Sequence, residues 1–445
     1  MRYDLTIIGA GPAGYVAALR AGQLGIKTLL IDKKYIGGMC LNWGCIPTKT
    51  YLESIKVFEK IKNAKKFGIT GIDKNRIKFD WQLARKKANK VVKKLTKGVE
   101  FLLKKRGVEI LIGEAKIIGK HQIEVSDRVI ETDDIIIATG SKPPQTKLFP
   151  KDTIIELENF VNLADLPKKP VIFGNGPVAI ELTQFLSKAG KEVLLISNEE
   201  RLLPDLSKYM ENFIRKIFKK DKINFITNDK WHLDKNIIHY GDKKFSFDKV
   251  INAQRRMGII PDRKIDIKAK NGFLETNRYL QTNYENVYAV GDINGRSYLA
   301  HAASAQGLLA VNHIKGIREA IDLQQYPINI YTLPEMAQIG KTEQELEDMS
   351  LDFKVNEFSL RANGKALAAG ENEGSIRILS EKSYGEIMGV QIISANATDM
   401  ISEASAIMQM EGTIFDLAKT IHAHPTVSEV FMEAGMDAVD LPLHK

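Results

Sequence analysis

A chain of 445 residues, 44% hydrophobic and 27% charged, has the composition of an ordinary globular protein, and its length predicts about two to four domains. Its two cysteines exclude a disulfide scaffold, and no uninterrupted apolar run is long enough for a helix across a bilayer. The net charge of +9 comes without a nucleic-acid motif, so neither nucleic acid nor membrane is an expected partner; without a leader pattern, a cytoplasmic location is the default expectation.

The first stretch, YDLTIIGAGPAGYVAALRAGQLGIKTLLID, reads as strand, glycine turn, helix and strand. Gly9, Gly11 and Gly14 form GxGxxG. The first glycine permits the tight turn, the second lets a pyrophosphate approach the backbone, and the third lets helix and strand pack closely. Phosphates would meet the N–H groups of the helix start. Asp32, ending the second strand, would accept hydrogen bonds from a ribose.

Both cysteines follow, in GGMCLNWGCIPTK from Gly37 to Lys49. Pro47 suits a first helical turn, and Tyr51, Leu52, Ile55, Phe58 and Ile61 recur at helical spacing. Cys45 is therefore expected at a helix N-terminus, where the dipole favours a thiolate. Cys40 precedes that helix, and LNWG must bend, helped by Gly44, if the sulfurs are to meet. A small exchangeable disulfide is one reading and two separate buried thiols the other. Next comes a lysine-rich stretch. Ala84, Ala88, Val91, Val92, Leu95, Val99, Leu102 and Leu103 fall at helical spacing, which makes its lysines the wet face of an amphipathic helix. That face is either simply solvated or a surface for an acidic partner.

DDIIIATGSKPP reads as a buried strand running into a linker. The opening pattern then returns in KPVIFGNGPVAIELTQFLSKAGKEVLLIS, where Gly174, Gly176 and Ala179 form GxGxxA and the second strand ends at Ser197. LQTNYENVYAVGDINGR predicts another apolar strand ending at Gly291-Asp292. Beyond about residue 325, runs such as GSIRIL and EIMGVQII alternate with amphipathic helices and carry no glycine finger. The expected fold class is α/β: two Rossmann-like dinucleotide-binding domains plus a C-terminal α+β domain, with boundaries at 1–147, 148–267, 268–325 and 326–445.

GGMCLNWGCIPTK resembles the redox signature of the FAD-dependent pyridine nucleotide-disulfide oxidoreductases. The resemblance spans essentially the whole chain, through GAGPAG, ATG (Ala138 to Gly140), the second finger and VYAVGD to IHAHPTVSE. Within that family, HAHPTVSE and the preceding ANGKALAAGENEG are similar to the members that oxidise dihydrolipoamide to lipoamide and reduce NAD. The resemblance implies that residues 1–147 bind FAD, 148–267 bind NAD or NADP, 268–325 pack with the FAD domain, and 326–445 form a dimer interface. It implies a homodimer serving the lipoyl domains of 2-oxoacid dehydrogenase or glycine-cleavage assemblies, and no metal.

It also assigns roles. His424 would take the substrate thiol proton, with Glu429 orienting its ring and His422 as a packing neighbour. Cys40 would be the interchange thiol of a Cys40–Cys45 redox disulfide, and Cys45 would face the flavin. Lys49 would lie near the flavin and pair with Glu181. For FAD, Gly9, Gly11, Gly14, Asp32, Lys49, Ala115, Gly140, Asp292 and Ala300 would make the contacts. For NAD, Gly174, Gly176, Ala179, Ser197 and Gln254 would do so.

The chain departs from the family in the second finger. NAD users usually carry a glutamate where Ser197 stands, Ala179 replaces the third glycine, and Gln254 in VINAQRRMG replaces a glycine. Either NAD binds with Glu199 or Glu200 substituting for the missing acid, or the site prefers NADPH. Other readings are a reductase of another small disulfide, and a non-enzymatic flavoprotein that binds partners or senses nucleotide.

Overall fold

Strand β1 (Arg2–Ile8) buries Tyr3 and every residue from Leu5 to Ile8. Both its faces are therefore covered, as in a parallel sheet clothed by helices. A glycine turn leads into α1 (Pro12–Gln23), which buries Ala13, Ala17, Ala18 and Ala21, and then into β2 (Thr28–Asp32), parallel to β1 with Leu5 opposite Thr28. Helices α2 (Gly38–Asn42) and α3 (Cys45–Lys62) follow. Helix α4 (Trp81–Lys105) starts at Asp80, whose carboxylate accepts the Leu83 N–H at 3.0 Å. Strands β3 (Glu109–Ile112), β4 (Ala115–Gly119), β5 (Gln122–Val125) and β6 (Arg128–Ile137) complete this part, in the order β3-β2-β1-β6-β5-β4.

Helix α4 corrects one expectation. Its lysine face is wet, but Leu95 and Leu102, expected on the dry face, are 39% and 45% exposed, and Phe101 is 64% exposed. The stripe that packs on α1, α2 and α3 is narrower than the apolar face and is closed mainly by Trp81, Ala84, Ala88 and Leu103.

The second finger comprises β7 (Pro170–Phe173), α5 (Pro177–Lys188) and β8 (Leu194–Ile196), followed by α6 (Lys208–Lys220) and β9 (Asn224–Ile226). Strands β7, β8 and β9 are parallel, with Leu194 opposite both Val171 and Asn224. Helix α5 is buried from Ala179 through Phe185 to Leu186. The chain then runs through β10 (Lys249–Asn252) to β11 (Val287–Ala289), which pairs in parallel with β6, and to α7 (Ala300–Ile314), which packs on α1.

The last part is a five-stranded antiparallel sheet of β12 (Ile328–Ile330), β13 (Glu335–Gly340), β14 (Phe353–Ser359), β15 (Ser375–Glu381) and β16 (Ile387–Ser394), in the order β12-β13-β16-β15-β14. Helices α8 (Ala397–Gln409), α9 (Ile414–Lys419) and α10 (Glu429–Ala438) close its core around Ile392, Ile401, Val430 and Phe431.

The computed structural model describes residues 2–228, 230–317, 323 and 325–444. Residues 318–322 and 324, within the expected segment 268–325, lie outside the described residues. The chain forms two compact units, Met1–Lys168 with Asp248–Leu323, and Lys169–Phe247 with Gln324–Lys445. Among the described residues, no helix is long and apolar enough to cross a membrane.

The first finger shows what each glycine does. Gly9 has φ +105°, and a Cβ on Gly14 would lie 1.8 Å from the Gly9 carbonyl oxygen, whereas a Cβ on Gly11 would meet nothing within 4 Å. Gly14→Ala therefore forces α1 off β1 and should cost more than about 1 kcal/mol of stability. Gly11→Ala should leave the urea midpoint close to that of the parent. Equal midpoints for the two variants would contradict this packing.

Candidate active site

The first unit sets a glycine turn and an acid beside a thiol pair. Asp32 ends β2, and its carboxylate accepts N–H groups from Ala10, Lys34 and Tyr35, each at 2.8 Å. The Ala10 bond ties the strand end to the residue between Gly9 and Gly11. Helix α1 starts at Gly11 with no side-chain cap and with Pro12 at its first position, so the amides of its first turn are available to an anion. Gly113 donates to the Asp32 carbonyl at 2.9 Å, which brings Ala115, at the start of β4, toward the same strand end. Gly140 has φ +73°, with no neighbour within 4 Å of a Cβ. The hydroxyl of Thr139 beside it is buried without a hydrogen-bond partner among the described residues.

Asp292 sits in a short turn after β11. Its Oδ2 accepts the Ser141 hydroxyl at 2.5 Å and faces Arg256 Nη1 at 3.2 Å, with both members of the ion pair largely buried. Gln306 on α7 fixes that turn, its Oε1 accepting from Gly291 N and Asn294 Nδ2, each at 2.7 Å. Ala300 is the first residue of α7. These features fit FAD: an acid at each end, open glycines for phosphates between them, and an orphaned hydroxyl. Gln254 lies in this unit too, and its Oε1 is buried without a partner among the described residues.

The cysteine segment is tied to the same turn. Gly37 donates to the Ala10 carbonyl at 2.8 Å, and a Cβ on Gly38 would lie 2.6 Å from the Gly11 Cα. Cys40 lies in α2, and Cys45 is the first residue of α3. The bend between them passes through Gly44 at φ −103°, ψ −109°. Both residues are partly buried thiols with no bond between their sulfurs. Cys40 is pushed strongly up, first by its hydrogen bond with Cys45, then by burial and by the charge of Cys45, against the pull of the Lys49 ammonium one turn into α3. This direction favours the neutral form of the Cys40 thiol. Trp43 packs edge-on against Tyr35, ring centroids 5.2 Å apart, which accounts for an aromatic residue in the bend. The Arg256 guanidinium donates to the Met39 sulfur at 2.9 Å, linking the cysteine segment to Asp292.

The second unit holds the other two groups of residues. In the second finger, Gly176 precedes α5 with no side-chain cap, Pro177 is at the first helical position, and no neighbour lies within 4 Å of a Cβ on Gly176. Ala179 is fully buried. Glu181 on the same helix is 1% exposed and accepts the Tyr331 N–H at 3.1 Å. Ser197 is buried, and its hydroxyl accepts the Glu199 N–H at 3.0 Å.

Farther along, Glu429 opens α10. Its Oε1 pairs with His424 Nδ1 at 2.8 Å, and its Oε2 accepts the Thr426 N–H at 2.8 Å. A carboxylate only accepts, so His424 carries its proton on Nδ1, and Nε2 is the basic nitrogen of an exposed ring. Burial pushes Glu429 upward, but the Thr426 N–H, His424 and His422 outweigh it and hold the group below the usual carboxylate range. Buried Asn363, from ANGKALAAGENEG, fixes the loop by donating to the Thr426 carbonyl at 3.0 Å. His422 turns elsewhere, to Glu403 at 2.7 Å.

Sequence reasoning missed Arg256, Ser141, Gln306 and Asn363. Asn363 stood inside a motif already singled out. The remaining three act through tertiary contacts that no local pattern marks.

The pyridine nucleotide-disulphide oxidoreductase family matches residues 3–307, and the dimerisation domain of that family matches residues 326–435. The dihydrolipoyl dehydrogenase of Bacillus subtilis is 35% identical over 458 residues, covering 99% of each chain. That of Mycoplasma genitalium is 35% identical over 456 residues, again covering 99% of each. The crystal structure of LpdA from Mycobacterium tuberculosis has the same fold, with a TM-score of 0.88 at 21% identity, covering 98% of this chain and 99% of that one.

The His422–Glu403 pair has a readable pH signature. The hydrogen bond to Glu403 raises His422, more than burial lowers it. A histidine raised in the folded state stabilises fully below its unfolded pKa of about 6.5 and loses that contribution as pH climbs through the folded value. His422→Gln should therefore lower the urea midpoint more at pH ~5.5 than at pH ~9. An equal loss at both would show that His422 is not charged in the pair.

Proposed function

This chain belongs to the pyridine nucleotide-disulphide oxidoreductase family, and on that premise we propose that it oxidises dihydrolipoamide to lipoamide and reduces NAD, through FAD and a Cys40–Cys45 redox pair. The observation that carries this reading is the thiol pair itself, straddling a helix start and bonded through Gly37 to the nucleotide finger. A structural pair would not need a bare-backbone dock beside a nucleotide turn.

FAD, when bound, supplies the two-electron carrier between the dithiol and NAD. Gly9, Gly11, Gly14, Asp32, Ala115, Gly140, Asp292 and Ala300 would hold it, with Lys49 beside the thiols and Glu181 as the lysine's expected partner. The protein's own steps start from the Cys40–Cys45 disulfide. His424 Nε2 takes the proton of one substrate thiol, and Glu429 stabilises the imidazolium. The substrate thiolate attacks the Cys40 sulfur, the Cys40–Cys45 bond breaks, and Cys45 leaves as a thiolate at the α3 N-terminus. The second substrate thiol displaces Cys40 and closes the lipoamide S–S bond. Two electrons then reside on the dithiol, one substrate proton on His424 and the other on Cys40, whose surroundings favour the neutral thiol.

The working form is a homodimer in the cytoplasm, in which the His424–Glu429 loop of one chain completes the thiol site of the other. The dimerisation domain over 326–435 supports this. Lipoyl domains of 2-oxoacid dehydrogenase or glycine-cleavage assemblies would deliver the substrate, and the wet lysine face of α4 suits an acidic carrier.

On FAD-loaded protein, Cys45→Ser should abolish dihydrolipoamide-dependent NAD reduction. His424→Ala should lower kcat by about 10²- to 10⁴-fold, with flavin content unchanged. Full turnover by either variant would overturn the mechanism. Absence of turnover in the parent protein would overturn the substrate.

A further inference from the structure

The NAD-linked reading leaves the second finger without the acid that a ribose needs at the end of its second strand. Ser197 stands there, and its buried hydroxyl accepts the Glu199 N–H, which closes a turn. From that turn the chain folds back over the finger. Leu203, in the left-handed region at φ 51°, donates its N–H to the Asn175 carbonyl at 2.8 Å. Asn175 lies between Gly174 and Gly176 and is 6% exposed. Its Nδ2 donates to Glu199 Oε2 at 2.9 Å and to the Arg201 carbonyl at 3.0 Å.

The first finger provides the comparison inside the same chain. There the residue between the glycines, Ala10, donates its backbone N–H to Asp32 at the strand end, at 2.8 Å. In the second finger the residue in the same place donates to an acid two positions farther on. A side-chain amide replaces the backbone amide, and its extra reach matches the displaced carboxylate. Both fingers thus bring one acid to the lip of the glycine turn, where a ribose would lie.

Arg201 is the cation in the turn, and it is committed elsewhere. Its Nε pairs with Glu211 at 2.8 Å, its Nη2 donates to the Leu206 carbonyl at 2.7 Å, and its Nη1 faces the Pro204 carbonyl at 3.5 Å. Glu211 is largely buried and also binds Arg215 and the Leu202 N–H, so two guanidiniums share one carboxylate there, and Arg215 Nη2 also donates to the Glu200 carbonyl at 2.7 Å. Exposed Glu199 and Glu200 remain. A 2′-phosphate brought to this lip would meet carboxylates, while ribose hydroxyls would find an acceptor.

We propose that Glu199, positioned by Asn175, is the carboxylate that binds the adenosine ribose of the nucleotide, in place of position 197, and that it sets a preference for a 2′-hydroxyl over a 2′-phosphate. This rests on the reading of the chain as a nucleotide-linked oxidoreductase. Ser197 is the hydroxyl that shapes the turn, and Asn175 is a positioning residue.

The test is calorimetric titration of FAD-loaded protein with NAD and with 2′,5′-ADP, alongside KM and kcat for NAD. Glu199→Gln should weaken NAD binding at least about tenfold, the loss of a charge-assisted hydrogen bond, and should narrow the gap to 2′,5′-ADP. Its KM for NAD should rise with kcat at saturation preserved. Asn175→Ala should weaken NAD binding in the same direction with the carboxylate still present, and Glu200→Gln should not. Ser197→Glu placed in Glu199→Gln should recover affinity. An unchanged Kd for NAD in Glu199→Gln, with parental flavin content and urea midpoint, would overturn the assignment whatever Asn175→Ala does. Dihydrolipoamide turnover in the same preparations separates the two claims. Its persistence beside unchanged NAD affinity refutes Glu199 alone, and its absence in the parent, with NAD affinity still falling in Glu199→Gln, refutes the substrate and supports Glu199.

Discussion

Everything in the thiol site depends on bare backbone meeting bare backbone at the first turn of α1. Gly14 lies on the Gly9 carbonyl, Gly38 on the Gly11 Cα, and Gly307 on the Ala13 carbonyl, each closer than any Cβ allows. Gly291 faces the Cβ atoms of Ala13 and Ala303 at what would be 3.1 and 3.3 Å. Three separate stretches, the cysteine segment, the Asp292 turn and α7, therefore converge on one helix start. That helix start carries uncapped amides and the positive end of its dipole. The same close packing also fixes the distance from that helix start to Cys40 and Cys45.

The electrostatics follow from this placement. Cys45 begins α3, so the helix dipole favours negative charge there. Cys40, hydrogen-bonded to it and partly buried, is pushed up. An asymmetric pair suits thiol–disulfide exchange, because the sulfur that leaves must carry charge readily while the sulfur that is attacked takes up a new bond. At the other end of the chain, the His424–Glu429 pair reaches the same kind of asymmetry by other means. A carboxylate at the first position of α10 fixes the tautomer of an exposed ring.

Both glycine fingers, the cysteine helix and the C-terminal sheet were legible because each rests on local rules: turns that need glycine, a proline in a first helical turn, and apolar periodicity. The parallel sheet reads as nearly continuous apolar runs, and β1 and β7 behave accordingly. What escaped was fixed by tertiary contact. The α4 stripe is narrower than its apolar residues suggest, since Leu95 and Leu102 have too little packed against them. Arg256 sat in a stretch noted only for its departure from a family pattern, yet it joins Asp292 to Met39. The acid missing at Ser197 looked like a defect because the motif counts positions along the chain. Asn175 shows that the reach of a side chain can substitute for position. The pairing of His424 with Glu429 came from resemblance, since a histidine five residues before a glutamate has no local rule of its own.

If Cys40 and Cys45 carry the electrons between dihydrolipoamide and NAD, their redox state must change during turnover. The direct measurement is anaerobic: oxidised, FAD-loaded protein is mixed with dihydrolipoamide, quenched with a thiol-alkylating reagent, and mapped by mass spectrometry, with and without NAD. Both cysteines should become alkylated after dihydrolipoamide and return to an unalkylated, disulfide-linked peptide once NAD is supplied. Cysteines that stay in one state while NAD is reduced would contradict that role.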